Sequence, residues 1–379
     1  MSPQKPQVAI ILFNTLARTS RFAGNIELSL LSGQLADENI KNEIFVLLMR
    51  PGDEGKNRST IDEFIAIAAE NKFRHIIMHT PWLEWLPETL REKTGAKVYC
   101  LEGAERGDIP PGLKSFDAHT AIIAAIKGAK TLGRAKRIAK PRDRQDFNPR
   151  FDYTFLGTDR PPSQEIAFVS IQSCPYRKYV RSNPLFKGIS FPAGTSTYGC
   201  SYCAGARSYA PLTEKSKQQM LAQQAAYLQN KLDTLQEIAV PFPEDYFDAL
   251  TWVILHAEEL GIRPATFSGQ LRAGAIVDNE KKLSRLLAAA AEHGFRFIIS
   301  VVGLESFRDE DLQYFNRDGA REVREAVGAI HRLRQSFDPR TFMPQTVGSF
   351  ILFHPWQTME GLKRNVEEML ATKIAGLFS

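Results

Sequence analysis

Val8-Ala-Ile-Ile-Leu-Phe13, with the helically spaced Ile26, Leu28, Leu30, Leu31 and Leu35 behind it, is the stretch on which the fold turns. An unbroken apolar run of this length reads as a strand covered on both faces, because a strand with one wet face alternates. The pattern then repeats. Residues 43–49 read as a strand, 60–71 as a helix, 74–79 as a strand, 86–94 as a helix and 97–101 as a strand. Strands alternating with helices imply a parallel, doubly wound α/β sheet. Such sheets bind ligands beyond the C-terminal ends of their strands. Here those ends carry Asn14 and Thr15, then His79 and Thr80, then Glu102.

A basic stretch follows. Residues 127–150 hold nine Lys and Arg against Asp143 and Asp146. It reads as a solvated connector, with a phosphate or nucleic-acid contact as the functional alternative. Alternation resumes beyond it. Strands are expected at 166–170, 189–191, 237–240, 264–268, 295–302 and 347–353, and helices at 214–232, 245–260, 279–293, 309–316, 321–335 and 359–370. The expected organisation is a doubly wound domain over 1–126, a basic linker over 127–160 and a partial (β/α) barrel over 161–379. The last residues, Ala375-Gly-Leu-Phe-Ser379, look like the start of a further strand, as in a short barrel or a fragment.

Composition bounds the rest. The 379 residues are 43% hydrophobic and 24% charged with a net charge of +5, an ordinary globular balance. No apolar run approaches the ~20 residues of a membrane span. Met1-Ser-Pro-Gln-Lys-Pro6 lacks the apolar core of a signal peptide, so a cytoplasmic location is expected. Four cysteines are too few for a disulfide scaffold at this length and suit ligands or buried thiols.

Two of those cysteines lie in Thr195-Ser-Thr-Tyr-Gly-Cys-Ser-Tyr-Cys-Ala-Gly205. By spacing alone, Cys200 and Cys203 read equally as buried thiols, half of a zinc site, or two ligands of an iron–sulfur cluster. Zinc needs two more ligands nearby, and the nearest histidines, His119 and His256, are far off in sequence.

Tyr198-Gly-Cys-Ser-Tyr-Cys203 resembles the second half of the radical SAM signature, Cys-x-x-x-Cys-x-aromatic-Cys. Further pieces follow in order: Phe267-Ser-Gly-Gln-Leu-Arg-Ala273, Val301-Val-Gly-Leu-Glu-Ser306 and Gly348-Ser-Phe-Ile-Leu-Phe-His-Pro-Trp356. With the doubly wound N-terminal domain in front, the chain is similar to the cobalamin-binding radical SAM proteins. The resemblance implies a [4Fe-4S] cluster on Cys200 and Cys203, with S-adenosylmethionine on its unique iron. Tyr202, Ser268, Gln270, Arg272 and Glu305 are the implied S-adenosylmethionine contacts. It also implies cobalamin at Asn14, Thr15, His79, Thr80 and Glu102, methyl transfer as the commonest reaction, and an electron donor such as a flavodoxin or ferredoxin. The family's first cluster cysteine falls on Ser196. Cys174, in Gln172-Ser-Cys-Pro-Tyr-Arg177, is the candidate replacement, 26 positions before Cys200. Asp117-Ala-His119 partly echoes a cobalamin-ligand box but lacks its glycine. Two rivals remain open: a radical SAM enzyme without cobalamin acting on RNA, and a catalytically silent binding protein without the cluster. No residue pattern names the substrate.

Overall fold

The computed structural model describes residues 7–15, 22–23, 26–50, 52–78, 85–101, 118–128, 149–158, 164–168, 174–190, 198–201, 212–233, 235–344 and 348–374. The chain divides into two compact units, Met1–Ile166 and Ala167–Ser379. Cys203, Tyr202, Ser196, His79, Thr80, Glu102 and residues 129–148 lie outside the described residues.

The first unit is an all-parallel α/β sheet. Its strands are β1 (Val8–Thr15), β3 (Asn42–Met49), β4 (His75–Met78), β5 (Lys97–Cys100) and β6 (Tyr153–Leu156), in the order β5-β4-β1-β3-β6. A short strand, β2 (Phe22–Ala23), pairs in parallel with the start of β7 (Gln164–Phe168). Alternation along each strand sorts side chains to two cores. Val8, Ile10, Leu12, Ile44, Val46 and Leu48 meet Leu28, Leu31 and Leu35 of α1 (Ile26–Asp37) and Ala121–Ala124 of α4 (Ala118–Ile126). On the other face Ala9, Ile11, Phe45, Leu47 and Met49 meet Ile61, Phe64 and Ala68 of α2 (Glu54–Asn71) and Leu86 and Leu90 of α3 (Leu86–Thr94). The sheet is therefore doubly wound. Cys100 is a buried member of the second core.

The second unit repeats the parallel β/α plan. β8 (Glu237–Ala239), β9 (Thr266–Arg272), β10 (Arg296–Glu305) and β11 (Phe342–Pro344) pair in sequence, and β12 (Gly348–Phe350) also pairs with β10. The helices are α5 (Glu214–Lys231), α6 (Phe247–Leu255), α7 (Ala273–Asp278), α8 (Glu280–Glu292), α9 (Asp309–Tyr314), α10 (Ala320–Ser336) and α11 (Met359–Ala371). Their apolar faces explain their formation. Leu283, Leu286, Leu287 and Ala290 line one stripe of α8, and Val323, Ala326, Val327, Ile330 and Leu333 one stripe of α10.

Several expectations from pattern are corrected. The linker does not reach residue 160, because Tyr153–Leu156 is a strand paired with Ile44–Leu47. No strand forms at 189–190. Two 3₁₀ turns, Val180–Ser182 and Pro184–Phe186, precede that point, the second capped by the Asn183 side chain with Pro184 leading it. α6 stops at Leu255, not 260, and turns lead to Gly261 at φ +66°. β9 runs four residues beyond its expected end, and β10 three, so Arg272 and Glu305 become terminal strand residues. β11 and α7 went unanticipated.

Candidate functional site

The site is assembled from a strand pair and two loops of the second unit. Asn316, fully buried at φ +54°, ties them together. Its side-chain amide donates to Gly199 O (2.7 Å) and to Lys178 O (3.2 Å), and its own carbonyl accepts from Tyr176 OH (2.9 Å). On the other side of Cys200, Ser201 donates from its backbone to Phe315 O (3.0 Å) and from Oγ to Tyr314 O (2.6 Å). Cys200 thus sits between two pinned neighbours, with its side chain half-buried.

Arg317 links the thiol to the sheet. Its Nη1 donates to Cys200 Sγ (3.4 Å), while Nη2 donates to Glu305 Oε1 (2.7 Å) and Gly303 O (3.2 Å). A side chain at Gly303 would push that guanidinium and the Glu305 carboxylate aside, so the bare strand leaves room for the contacts described. Glu305 is buried at φ +65°, a conformation that costs a non-glycine residue of order 1–3 kcal/mol. It is held there by Arg317, by Ser349 Oγ donating to Oε2 (3.3 Å), and by Ile351 N donating to its carbonyl (2.9 Å).

Arg272, one strand over, lies 4.8 Å above the Tyr176 ring and donates to Asp318 Oδ2 (2.7 Å). Its Nε faces Glu244 Oε1 at 3.9 Å, too far for a hydrogen bond. That Nε and Glu244 Oε2 are both buried with no hydrogen-bond partner. Burial raises the Glu244 carboxyl to about 7, and only part of this is offset by its own backbone N–H and by Arg272. Burial also pushes the Tyr176 hydroxyl well above its ordinary range, with Asp318 and Cys200 adding to the shift.

Of the residues singled out by sequence, Cys200 and Glu305 are joined through Arg317, and Arg272 joins them through Tyr176. Ser268 lies elsewhere: it is buried and donates to Glu237 Oε1 (2.6 Å). Gln270 is exposed on the same strand, and Cys174 is half-buried two residues before Tyr176. In the first unit Asn14 and Thr15 end β1, opposite Leu48 and Met49 of β3. The strand order reverses across β1, since β3 lies on one side and β4 on the other. Among the described residues no group of three or more His, Cys, Asp and Glu side chains is placed to hold a metal ion, and Cys203 lies outside them. Nor is any described helix long and apolar enough to cross a membrane.

Pattern reading missed Arg317, Tyr176, Glu244 and Asp318. A usable signal existed for one: Glu244 is an acid just past the end of β8.

No family model matches the chain, and no curated protein does. Among solved structures it is similar to a GH10 endoxylanase from a sugarcane soil metagenome, with 11% identity over 92% of this chain and 86% of that one, at a TM-score of 0.26. An ABC-transporter solute-binding protein from Aeropyrum pernix K1 aligns at 13% identity over 97% and 81%, TM-score 0.20. A glycosyltransferase from Rickettsia africae aligns at 7% identity over 98% and 91%, TM-score 0.21. Likenesses this slight carry no argument about fold or activity.

Proposed function

We propose that the chain is a radical SAM enzyme of the cobalamin-binding kind, acting in the cytoplasm with a flavodoxin- or ferredoxin-type electron donor. Cys200 and Cys203, with Cys174 as third ligand, hold a [4Fe-4S] cluster, and the first unit takes cobalamin for a methyl transfer. The observation that carries this reading is the Arg317 guanidinium, which gives one N–H to Cys200 Sγ and another to Glu305. N–H donors to a ligand sulfur offset thiolate charge, the usual need of a cluster site. When bound, the cluster supplies the electron that cleaves the sulfonium of S-adenosylmethionine.

The chain's own residues do the rest. Arg272 is suited to grip a carboxylate, as it already grips that of Asp318. Glu305 and Gln270 supply oxygens for an amine or for hydroxyls, and Tyr202 a ring for the adenine. Glu244, with its carboxyl near 7, can hold or release a proton at Oε2. Support for cobalamin comes from Asn14 and Thr15, which end β1 where the strand order reverses, the place doubly wound sheets use for ligands.

Anaerobic purification followed by iron, sulfide and cobalt analysis tests the reading. Wild type should carry a four-iron cluster with its visible absorbance, Cys200→Ala should lose it, and Cys174→Ala should lose it too. Wild type without iron after anaerobic reconstitution sinks the proposal. Iron without cobalt removes its cobalamin half.

A further inference from the structure

Residues 174–190 carry four cations, Arg177, Lys178, Arg181 and Lys187, and no acid. Lys178, Arg181 and Lys187 are exposed. So are two aromatic rings, Tyr179 at 40% and Tyr198 at 42%. The strip is firmly built. Tyr179 and Tyr198 form an antiparallel bridge, Gly199 N donates to Lys178 O (2.9 Å), and buried Asn316 bonds both carbonyls. The Tyr179 and Tyr198 rings stand 5.2 Å apart, and the Arg177 guanidinium lies 5.0 Å over Tyr198. Tyr198 is two residues from Cys200.

We infer that this strip binds single-stranded nucleic acid and presents it to the Cys200 site. Exposed rings interleaved with positive charge fit a ligand with flat apolar faces and a regular anionic thread. Unstacked bases on a phosphodiester backbone have both, and base–aromatic stacking with cation–π help is sequence-tolerant. An acidic protein would satisfy the charges but leaves the paired rings without a purpose. The inference names a substrate class for the proposed enzyme. It rests on that reading only for what happens at Cys200.

Fluorescence anisotropy of a short fluorescein-labelled oligouridylate with the full-length protein tests it. Binding should exceed that of a blunt RNA duplex of equal length. Tyr179→Ala and Tyr198→Ala should each weaken it about tenfold, while Tyr179→Phe keeps it. Arg181→Gln and Lys187→Gln should each flatten the logarithmic salt dependence by roughly 0.7. No binding at low salt overturns the inference. So does equal binding of duplex or heparin with the tyrosine variants unaffected, and so does capture of an acidic ferredoxin in place of RNA. Iron assayed on the same preparations separates the two readings. RNA binding without iron leaves this inference standing and sinks the enzyme, whereas iron without RNA binding does the reverse.

Discussion

Burial holds the Glu244 carboxyl at a pKa of about 7, against an ordinary value of 4.5. The folded protein keeps this proton longer than the unfolded chain does, so stability falls as pH rises from about 4.5 to about 7. The expected loss is about 3 kcal/mol. Glu244→Gln should remove it. Urea unfolding at pH 5 and pH 8 should show wild type losing stability relative to the variant at the higher pH, and parallel pH profiles would refute the assignment. Arg317 and Glu305 make a second test. Their side chains are only 10% and 6% exposed, so removing one partner strands a buried charge. Arg317→Met should cost about 3–5 kcal/mol in denaturant unfolding. Adding Glu305→Gln should recover part of that, because the two groups are directly coupled. Strict additivity would show that the pair does not hold the strand end.

At the scale of elements, what sequence reveals depends on whether one strand or helix carries its own signal. β1 and β3 are legible because both faces are buried, which leaves runs no loop would have. The first turn of α2 is not, since residues 54–59 have no apolar face; the helix starts there because Asp53 accepts from Lys56 N (3.1 Å). Asp53→Ala should cost about 1 kcal/mol, read from the urea midpoint, and no change would mean the cap is idle. β9 outruns its apolar pattern because Gly269 lets the backbone press against the turn bearing Glu244. A Cβ there would stand 2.6 Å from both Val240 O and Pro243 Cγ. Gly269→Ala should therefore destabilise by about 1–3 kcal/mol and shift the Glu244 pH response described above. The candidate site divides the same way. The two-residue gap between Cys200 and Cys203 stands out in the chain, while Arg317 is 117 positions from Cys200 and meets it only through the turn after α9. Charge pairs made by folding leave no local spacing to read.

For the whole molecule, the division at Ile166 decides how the cobalamin proposal can be tested. A cut at the basic stretch, say after residue 145, follows composition but removes β6. That strand pairs with Ile44–Leu47 and buries Leu156 in the α2-side core. Tyr153 OH meets Ser29 Oγ (2.7 Å), Thr154 donates to Glu43 (2.9 Å), and Gly157, at φ +81°, packs against Thr60. Each large apolar side chain so lost gives up roughly 1.5–3 kcal/mol. Against a total stability of about 5–15 kcal/mol, losing Leu156 with the half-buried Tyr153 and Phe155 is severe. It also bares the edge of β3 to other chains. Residues 1–166 should unfold in one cooperative urea transition, and residues 1–145 should show none or aggregate. Corrinoid retention has meaning only on the longer piece. If 1–166 folds and still releases cobalamin on gel filtration, the reversal of strand order at β1 is not a corrin site and the second unit must work without one. If both pieces unfold alike, β6 is dispensable and the first unit ends where the basic stretch begins.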